Sequence, residues 1–478
     1  MHDSWVQRVL RRFAAATNLL IPGEHFTVPA EALTLQRTLR AMGAHVATYE
    51  GDPPAAPQYL IQLTAGGSGH VVVTAPLDGD PTVEGPSGPL VPPQEHDDAP
   101  ARLAWARRHM PVTLAAVERL APQLRGRRIG LSLVLEPKTA VLALELARAG
   151  AEVSVYGHPG ETRPTVAEAL RDGGVAVFAD TNPVLAPGLQ RDFLAQGLEF
   201  LVDDGAHLIR LAHQVPGALD GMVAAAEETT SGLTSLRGFD LRIPVIASND
   251  ARSKTLFDNA YGTGQSCLMT ILDLLAPNGA WPLHERHVVV AGYGDVGKGF
   301  AKMTAAFGAR VSIAEPDPVR RLQARMDGRA VGSLVELAST ADLLVSATGV
   351  RHTVDLPVLR ALKDGAAVAV AGGVDQEISL EDAEAHGATW APIAHRLDAL
   401  QLPNGPVVHV LDKGECINVT AGEGNPIEIM DLSFGVQAAA LGHLVEHAQS
   451  LTPGLHPLPR HLDDDVAAAT LTDWRPLP

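Results

Sequence analysis

The sequence predicts an α/β protein with parallel sheets and a small α+β module at its N-terminus. Three observations lead there. From Ala101 onward short apolar runs alternate with helical stretches, glycine is plentiful at 45 residues while aromatics make up only 4%, and 478 residues give room for two or three domains. Strand, helix, strand at this spacing implies right-handed crossovers between parallel strands.

The elements follow in order. An amphipathic stretch, Trp5 to Ala16, and a helical one, Ala30 to Met42, precede three β-like runs at His45–Tyr49, Tyr59–Thr64 and His70–Thr74, which make the N-terminal module over residues 1–77. Between 78 and 100 lie Pro81, Pro86, Pro89, Pro92, Pro93 and Pro100 with Gly79, Gly85 and Gly88, a spacing that predicts a linker because neither a helix nor a central strand tolerates it. Then come a strand at Arg128–Leu135, a helix at Thr139–Gly150, a strand at Glu152–Tyr156, a helix at Thr165–Gly173 and a strand at Val175–Ala179. A helix at Leu189–Gly197 and a strand at Glu199–Val202 follow, the latter running into Asp203-Asp204-Gly205. A second unit of the same kind begins at His287 and runs to about Asn418.

Charge and composition exclude several functions. Lys plus Arg number 37 against 55 Asp plus Glu, a net charge of −18 with no basic block to follow a phosphate backbone, so nucleic acid is not an expected partner. No run approaches the ~20 apolar residues of a membrane span. The N-terminus, Met1-His2-Asp3-Ser4-Trp5, lacks the basic-then-apolar order of a signal peptide, and only Cys267 and Cys416 occur, so a cytoplasmic, reduced protein is expected. Neither cysteine has a Cys-x-x-Cys partner, and no metal site is expected.

The most specific signal is His287-Val288-Val289-Val290-Ala291-Gly292-Tyr293-Gly294-Asp295-Val296-Gly297, an apolar strand running into Gly-x-Gly-x-x-Gly and then a helix. Gly292 permits the tight turn, Gly294 lets a pyrophosphate approach the backbone, and Gly297 lets helix pack on strand, with the phosphates at the positive helix N-terminus. The next strand ends in Glu315, within the distance at which an acid accepts the ribose hydroxyls of NAD and repels a 2′-phosphate. NAD is therefore expected over NADP, with Arg320 and Arg321 nearby keeping the second open.

This stretch, with Glu227-Glu228-Thr229-Thr230-Ser231-Gly232, Asn249-Asp250-Ala251-Arg252-Ser253-Lys254 and Phe257-Asp258-Asn259-Ala260-Tyr261-Gly262, resembles the S-adenosylhomocysteine hydrolase (adenosylhomocysteinase) family. The resemblance runs from about Ala101 to Thr470. It implies two doubly wound, Rossmann-like domains forming a cleft: a substrate domain over 101–263, an NAD-binding domain over 264–423, a return to the first over 424–470 and a tail over 471–478. It also implies a homo-oligomer, tetramer or dimer, and a reaction in which NAD oxidises the ribose 3′-hydroxyl. The C4′ proton is thereby acidified, the 5′-thiol leaves, water adds and the hydride returns.

The family pattern places the base for the oxidised hydroxyl, a lysine paired with an aspartate, at Lys254 and Asp258, a base for the C4′ proton at Asp204, and an acid on the ribose hydroxyls at Glu228. At i and i+4 on a helix Lys254 and Asp258 share a face, and a desolvated lysine can fall toward neutrality; the same spacing also serves an ordinary solvated pair. Thr229, Thr230, Ser231, Asn259 and Asn418 match positions at the nicotinamide end of NAD, and Asp295, Val296, Thr348, Gly349, Ala371 and Gly372 complete the implied cofactor contacts.

The departures fall on the substrate side. Where the family reads Cys-Leu-His-Met-Thr-x-Glu, with the histidine, threonine and glutamate around the adenosine, this chain has Ser132-Leu133-Val134-Leu135-Glu136-Pro137-Lys138. Gly-His-Phe-Asp becomes Gly372-Gly373-Val374-Asp375, Gly-His-Pro becomes Gly424-Asn425-Pro426, and Thr263 stands at the cysteine of Tyr-Gly-Cys. The family's Lys-Pro-Asp-His-Tyr-Arg-Tyr tail is replaced by Thr472-Asp473-Trp474-Arg475-Pro476-Leu477-Pro478. His207, three residues after Asp204, is a candidate proton donor and equally an ordinary histidine at a helix start. The expectation is an NAD-dependent enzyme of this family whose substrate pocket differs, acting on a nucleoside thioether or similar small molecule. A catalytically silent NAD-binding relative and a simple NAD dehydrogenase are the alternatives.

Overall fold

The computed structural model describes residues 3–50, 58–65, 69–76, 79–276, 281–373 and 376–473. Val374, Asp375 and the tail from Trp474 lie outside the described residues. The chain forms two compact units, one of residues up to His96 with Asn259–Pro426, the other of Asp97–Asp258 with the chain from Ile427. It passes between them at 258/259 and 426/427, against expected limits of 263/264 and 423/424.

In the first unit the N-terminal sheet holds β1 (His25–Pro29), β2 (His45–Tyr49), β3 (Gln58–Ala65), β4 (Gly69–Pro76), β5 (Thr82–Gly85) and β6 (Gly88–Leu90), in the order β2-β1-β3-β4-β5-β6. The segment expected as a linker thus carries two short strands. Its prolines do not prevent this: Pro81 and Pro86 flank β5, and Pro89 sits in the edge strand β6, where a missing amide hydrogen costs nothing. Nor does the module stand by itself, because it lies within the same compact unit as Asn259–Pro426. Gln265 on the helix Thr263–Leu275 accepts from Ile21 N at 2.9 Å and donates to Leu19 O at 2.9 Å, and Arg11 meets Asp273 at 2.7 Å.

The second unit carries β7 (Arg128–Ser132), β8 (Glu152–Gly157), β9 (Ala176–Ala179), β10 (Phe200–Asp203), β11 (Ala224–Glu227) and β12 (Pro244–Ala247) in one parallel sheet, closed by Gly454–Pro457 beside β12. Among the described residues its order, β12-β11-β10-β7-β8-β9 after that closing strand, reverses direction between β7 and β10. Ligand crevices of open α/β sheets form at such a switch point, beyond the carboxyl ends of the strands. Fully buried Leu131, Val155, Leu201 and Val245 hold the sheet between its helices. The predicted strand Arg128–Leu135 stops at Ser132, because Leu135 leaves the sheet to bridge Thr162.

The larger sheet of the first unit has β13 (His287–Ala291), β14 (Arg310–Ala314), β15 (Ala330–Val331), β16 (Leu343–Ser346), β17 (Ala367–Val370), β18 (Thr389–Ala394), β19 (Leu397–Gln401) and β20 (Val407–Leu411). Its order is β15-β14-β13-β16-β17-β20-β19-β18, parallel as far as β20, with the switch between β13 and β16. All five residues of β13 are buried, as a strand covered on both faces requires.

Candidate functional site

In the first unit the glycines divide the work at the β13 turn. Gly292 has φ +95°, and a Cβ there would lie 2.7 Å from Ala347 O; at Gly297 it would lie 2.2 Å from Gly292 O. Turn and packing therefore demand both. Gly294 is different, since a Cβ there would meet only Arg320 Nη1, at 3.8 Å, and the space above it is open. The helix Asp295–Ala306 starts at this point, with Asp295 and Val296 in its first turn. A pyrophosphate fits a turn left open at its middle glycine and facing a helix N-terminus.

Glu315 follows β14 and is buried, with Oε2 accepting from Tyr293 N at 2.6 Å and Oε1 from Asp317 N at 2.9 Å. Across the switch, Thr348 and Gly349 follow β16, and Ala371 and Gly372 follow β17. Glu377, fully buried, gathers that edge: it accepts from Thr348 N at 3.2 Å, Thr348 Oγ1 at 2.8 Å and Gly349 N at 3.0 Å. A Cβ at Gly373 would lie 1.7 Å from Glu377 Oε1, so a side chain there would require the end of the Glu377 side chain to move. Asn418 is buried and donates to Asn425 Oδ1 at 3.1 Å, and Asn259 is half-buried.

In the second unit the strand ends at the switch point carry acids. Asp203, at the end of β10, caps the next helix by accepting from Leu208 N at 2.9 Å and Ile209 N at 2.8 Å. Glu227, at the end of β11, accepts from Gly205 N at 3.1 Å and Ala206 N at 2.8 Å and so holds the turn after Asp204. These two acids are structural; their neighbours Asp204 and Glu228 are not used in this way. Burial pushes Asp204 up to about 6, with Lys254 pulling it down and Asp258 pushing it further up. Burial likewise pushes Glu228 up to about 8 against the pull of Lys254. Glu228 Oε2 is buried with no hydrogen-bond partner among the described residues, an orphaned acceptor of the kind a substrate hydroxyl satisfies.

Lys254 and Asp258 are both buried, and Lys254 Nζ lies 2.5 Å from Asp258 Oδ2. They sit where a short helix, Arg252–Lys254, passes into a π-helical stretch, Thr255–Gly262, a local geometry frequent at functional sites. Burial works to lower Lys254, but Asp258, Glu228 and Asp204 outweigh it and hold the ammonium above its ordinary value. The expectation that desolvation brings this lysine toward neutrality is therefore reversed: three carboxylates supply more than burial removes.

The remaining predicted residues divide. Thr229 caps the helix Thr230–Leu236, accepting from Gly232 N at 3.1 Å and donating to Glu227 Oε1 at 2.6 Å. Thr230 bonds Asn249 at 3.3 Å, and Ser231 is exposed and bonds Thr229 at 3.4 Å. His207 is exposed at the start of its helix, its ring lying over Gly205, where a Cβ would meet it at 2.7 Å.

In the sequence Glu136 stands only as part of a changed motif. It caps the helix Pro137–Arg148, accepting from Lys138 N at 3.1 Å, and lies 2.8 Å from Lys138 Nζ. Both are buried, Lys138 completely, as is Arg102. Burial lowers Lys138, Glu136 raises it, and Arg102 and Arg163 lower it, which places two further cations beside the pair. Glu136 in turn acts on Glu228, so this charged cluster adjoins the Asp204, Glu228, Lys254 and Asp258 set. The reversal of charge at 138 was visible in sequence; the compensating acid two residues earlier was the signal that went with it. Among the described residues no three His, Cys, Asp or Glu stand together as metal ligands, and no helix is long and apolar enough to cross a membrane.

Known proteins match this arrangement. Residues 260–424 match the family model for the NAD-binding domain of S-adenosyl-L-homocysteine hydrolase. An adenosylhomocysteinase of Thermotoga maritima is 36% identical over 381 residues, covering 77% of this chain and 93% of that protein. An S-inosyl-L-homocysteine hydrolase of Methanopyrus kandleri is 37% identical over 386 residues, covering 77% and 89%, and one from Methanosarcina mazei is 36% identical over 386 residues, covering 77% and 91%. The cofactor is NAD, and the chain belongs to the adenosylhomocysteinase family.

Proposed function

We propose that this protein is an NAD-dependent hydrolase of a nucleoside–homocysteine thioether whose base is a 6-oxopurine. The observation that carries the choice of base is the buried Glu136–Lys138 pair at 2.8 Å. A carboxylate only accepts hydrogen bonds and an ammonium only donates them. At position 138 the family's acid can accept only from the amino group of adenine, whereas Lys138, already donating to Glu136, can add a bond only to an acceptor. A 6-oxopurine offers one, its carbonyl oxygen, with the N1 hydrogen beside it for Glu136. Arg102 and Arg163 add positive potential that favours oxygen over an amino group. That two similar proteins are named S-inosyl-L-homocysteine hydrolases agrees with this reading.

The turn at Gly292 and Gly294, with Gly372 and Asn418, would hold NAD, which would supply reversible hydride exchange with the ribose and so leave hydrolysis as the net reaction. The chain's own residues manage the protons. Glu228, with its unsatisfied buried oxygen, holds the ribose hydroxyls and, when ionised, takes the proton released from the hydroxyl that is oxidised. Lys254, kept as an ammonium by Asp258, stabilises negative charge that develops as the hydroxyl loses its proton. Asp204, near 6, is ionised at neutral pH yet more basic than an ordinary aspartate, and takes the proton next to the new carbonyl. The thiol then leaves from the 5′-carbon and water adds in its place. His207 lies over Gly205, one residue from that base, and is a candidate to protonate the leaving thiol.

The test is thiol release from S-inosyl-L-homocysteine and S-adenosyl-L-homocysteine by the NAD-loaded protein. We expect kcat/KM at least tenfold higher for the inosyl compound; equal or reversed preference overturns the assignment of the base.

A further inference from the structure

Two positions at which the sequence departs from its family, 263 and 425, are bonded to each other. Asn425 Nδ2 donates to Thr263 Oγ1 at 3.1 Å. The other end of the same carboxamide, Oδ1, accepts from Asn418 Nδ2 at 3.1 Å and from Ser266 Oγ at 2.8 Å. Asn425 and Asn418 are buried, and Thr263 and Ser266 lie one turn apart on the helix Thr263–Leu275. Thr263 also reaches the other side of the site: a Cβ on Gly372, φ +59°, would lie 2.6 Å from Thr263 Cγ2. The threonine methyl group thus packs directly against a glycine that must stay a glycine.

We propose that Thr263 and Asn425 form a positioning pair that fixes Gly372 and Asn418 for the nicotinamide end of NAD. The proposal rests on the reading of Gly372 and Asn418 as cofactor contacts. A carboxamide is suited to the task because it donates at one end and accepts at the other, so one rigid plane links helix, loop and Asn418. The cysteine and histidine of the family have been exchanged together for two groups that bond each other, which explains why neither departure leaves a polar gap. Neither side chain need touch the substrate, so the pair acts through Asn418 and Gly372 alone.

The test is the NAD dissociation constant and off-rate of the full-length protein carrying Thr263→Val, Asn425→Asp, Asn425→Ala or Thr263→Val with Asn425→Ala. Thr263→Val keeps the methyl contact and removes the hydroxyl; Asn425→Asp keeps the acceptor and removes the donor. We expect each to weaken NAD about tenfold, the worth of one buried hydrogen bond, when binding is measured well below the thermal midpoint of each variant so that the loss reads on folded protein. The double variant should be no weaker than Asn425→Ala alone, since either change breaks the same link. Thr263→Ser, which restores the hydroxyl, should recover most of the affinity lost in Thr263→Val. NAD affinity within twofold of the parent in Thr263→Val, Asn425→Asp and Asn425→Ala, or additive losses in the double variant, would overturn the proposal. Because NAD binding is read without substrate, a failed substrate assignment leaves this result standing.

Discussion

Lys254 Nζ lies 2.5 Å from Asp258 Oδ2, and both side chains are buried among further carboxylates rather than among cations. A lysine in that company stays charged. Its role is then to stabilise developing negative charge, and removal of the charge should cost much more than removal of the stem. Lys254→Met should lower the rate of cofactor reduction by roughly 10²–10⁴-fold, whereas Asp258→Asn, which leaves the ammonium without its closest partner, should cost less. Stopped-flow NADH absorbance on mixing with substrate reads both.

The raised acids give a pH signature. Asp204 must be ionised to accept a proton, so kcat/KM should rise through about pH 6; Glu228, near 8, should bring a second inflection there, both read from kcat/KM between pH 5 and 9. Stability runs the opposite way. The unfolded value of a glutamate is about 4.3, and Glu228 is raised in the fold, so its contribution is fully present below about 4.3 and is lost as pH rises through about 8. NAD- and substrate-free protein should melt at a lower temperature at pH 9 than at pH 6.

Much of this was legible in sequence. The β13 turn was readable because Gly292 and Gly297 are dictated by local backbone geometry, and local geometry is what a short motif encodes. Lys254 and Asp258 were readable as neighbours because i and i+4 fix proximity. The charge state of Lys254 was not, since it depends on Glu228 and Asp204, brought in from other strands. The same limit hid the strands within 78–100: the prolines are visible in sequence, but that one of them falls in an edge strand is a property of the sheet. The bond between Thr263 and Asn425 spans 162 residues, and only the fold reveals it.

The two middle and end glycines of the turn should respond differently to a side chain. Gly297→Ala brings a Cβ to 2.2 Å from Gly292 O and should destabilise the protein by several kcal/mol, read as a lower thermal midpoint even without NAD. At Gly294 an added Cβ meets only the end of Arg320, so in Gly294→Leu the fold should persist while NAD binding, measured by calorimetry, is lost.

In the base pocket, Lys138→Met strands a buried Glu136 and should cost about 3–5 kcal/mol of stability. Glu136→Thr with Lys138→Glu removes the pair and restores the family's threonine and glutamate. Steady-state assays should show preference shifting at least tenfold toward S-adenosyl-L-homocysteine, the size expected when a buried donor and acceptor are exchanged.

The most direct test of the account is a single turnover of NAD-loaded protein with S-inosyl-L-homocysteine, following NADH absorbance and free thiol together. The account predicts a transient rise in NADH that decays as thiol appears in stoichiometric amount, with no net reduction of NAD. NADH that accumulates with turnover, or thiol released without the transient, would contradict it.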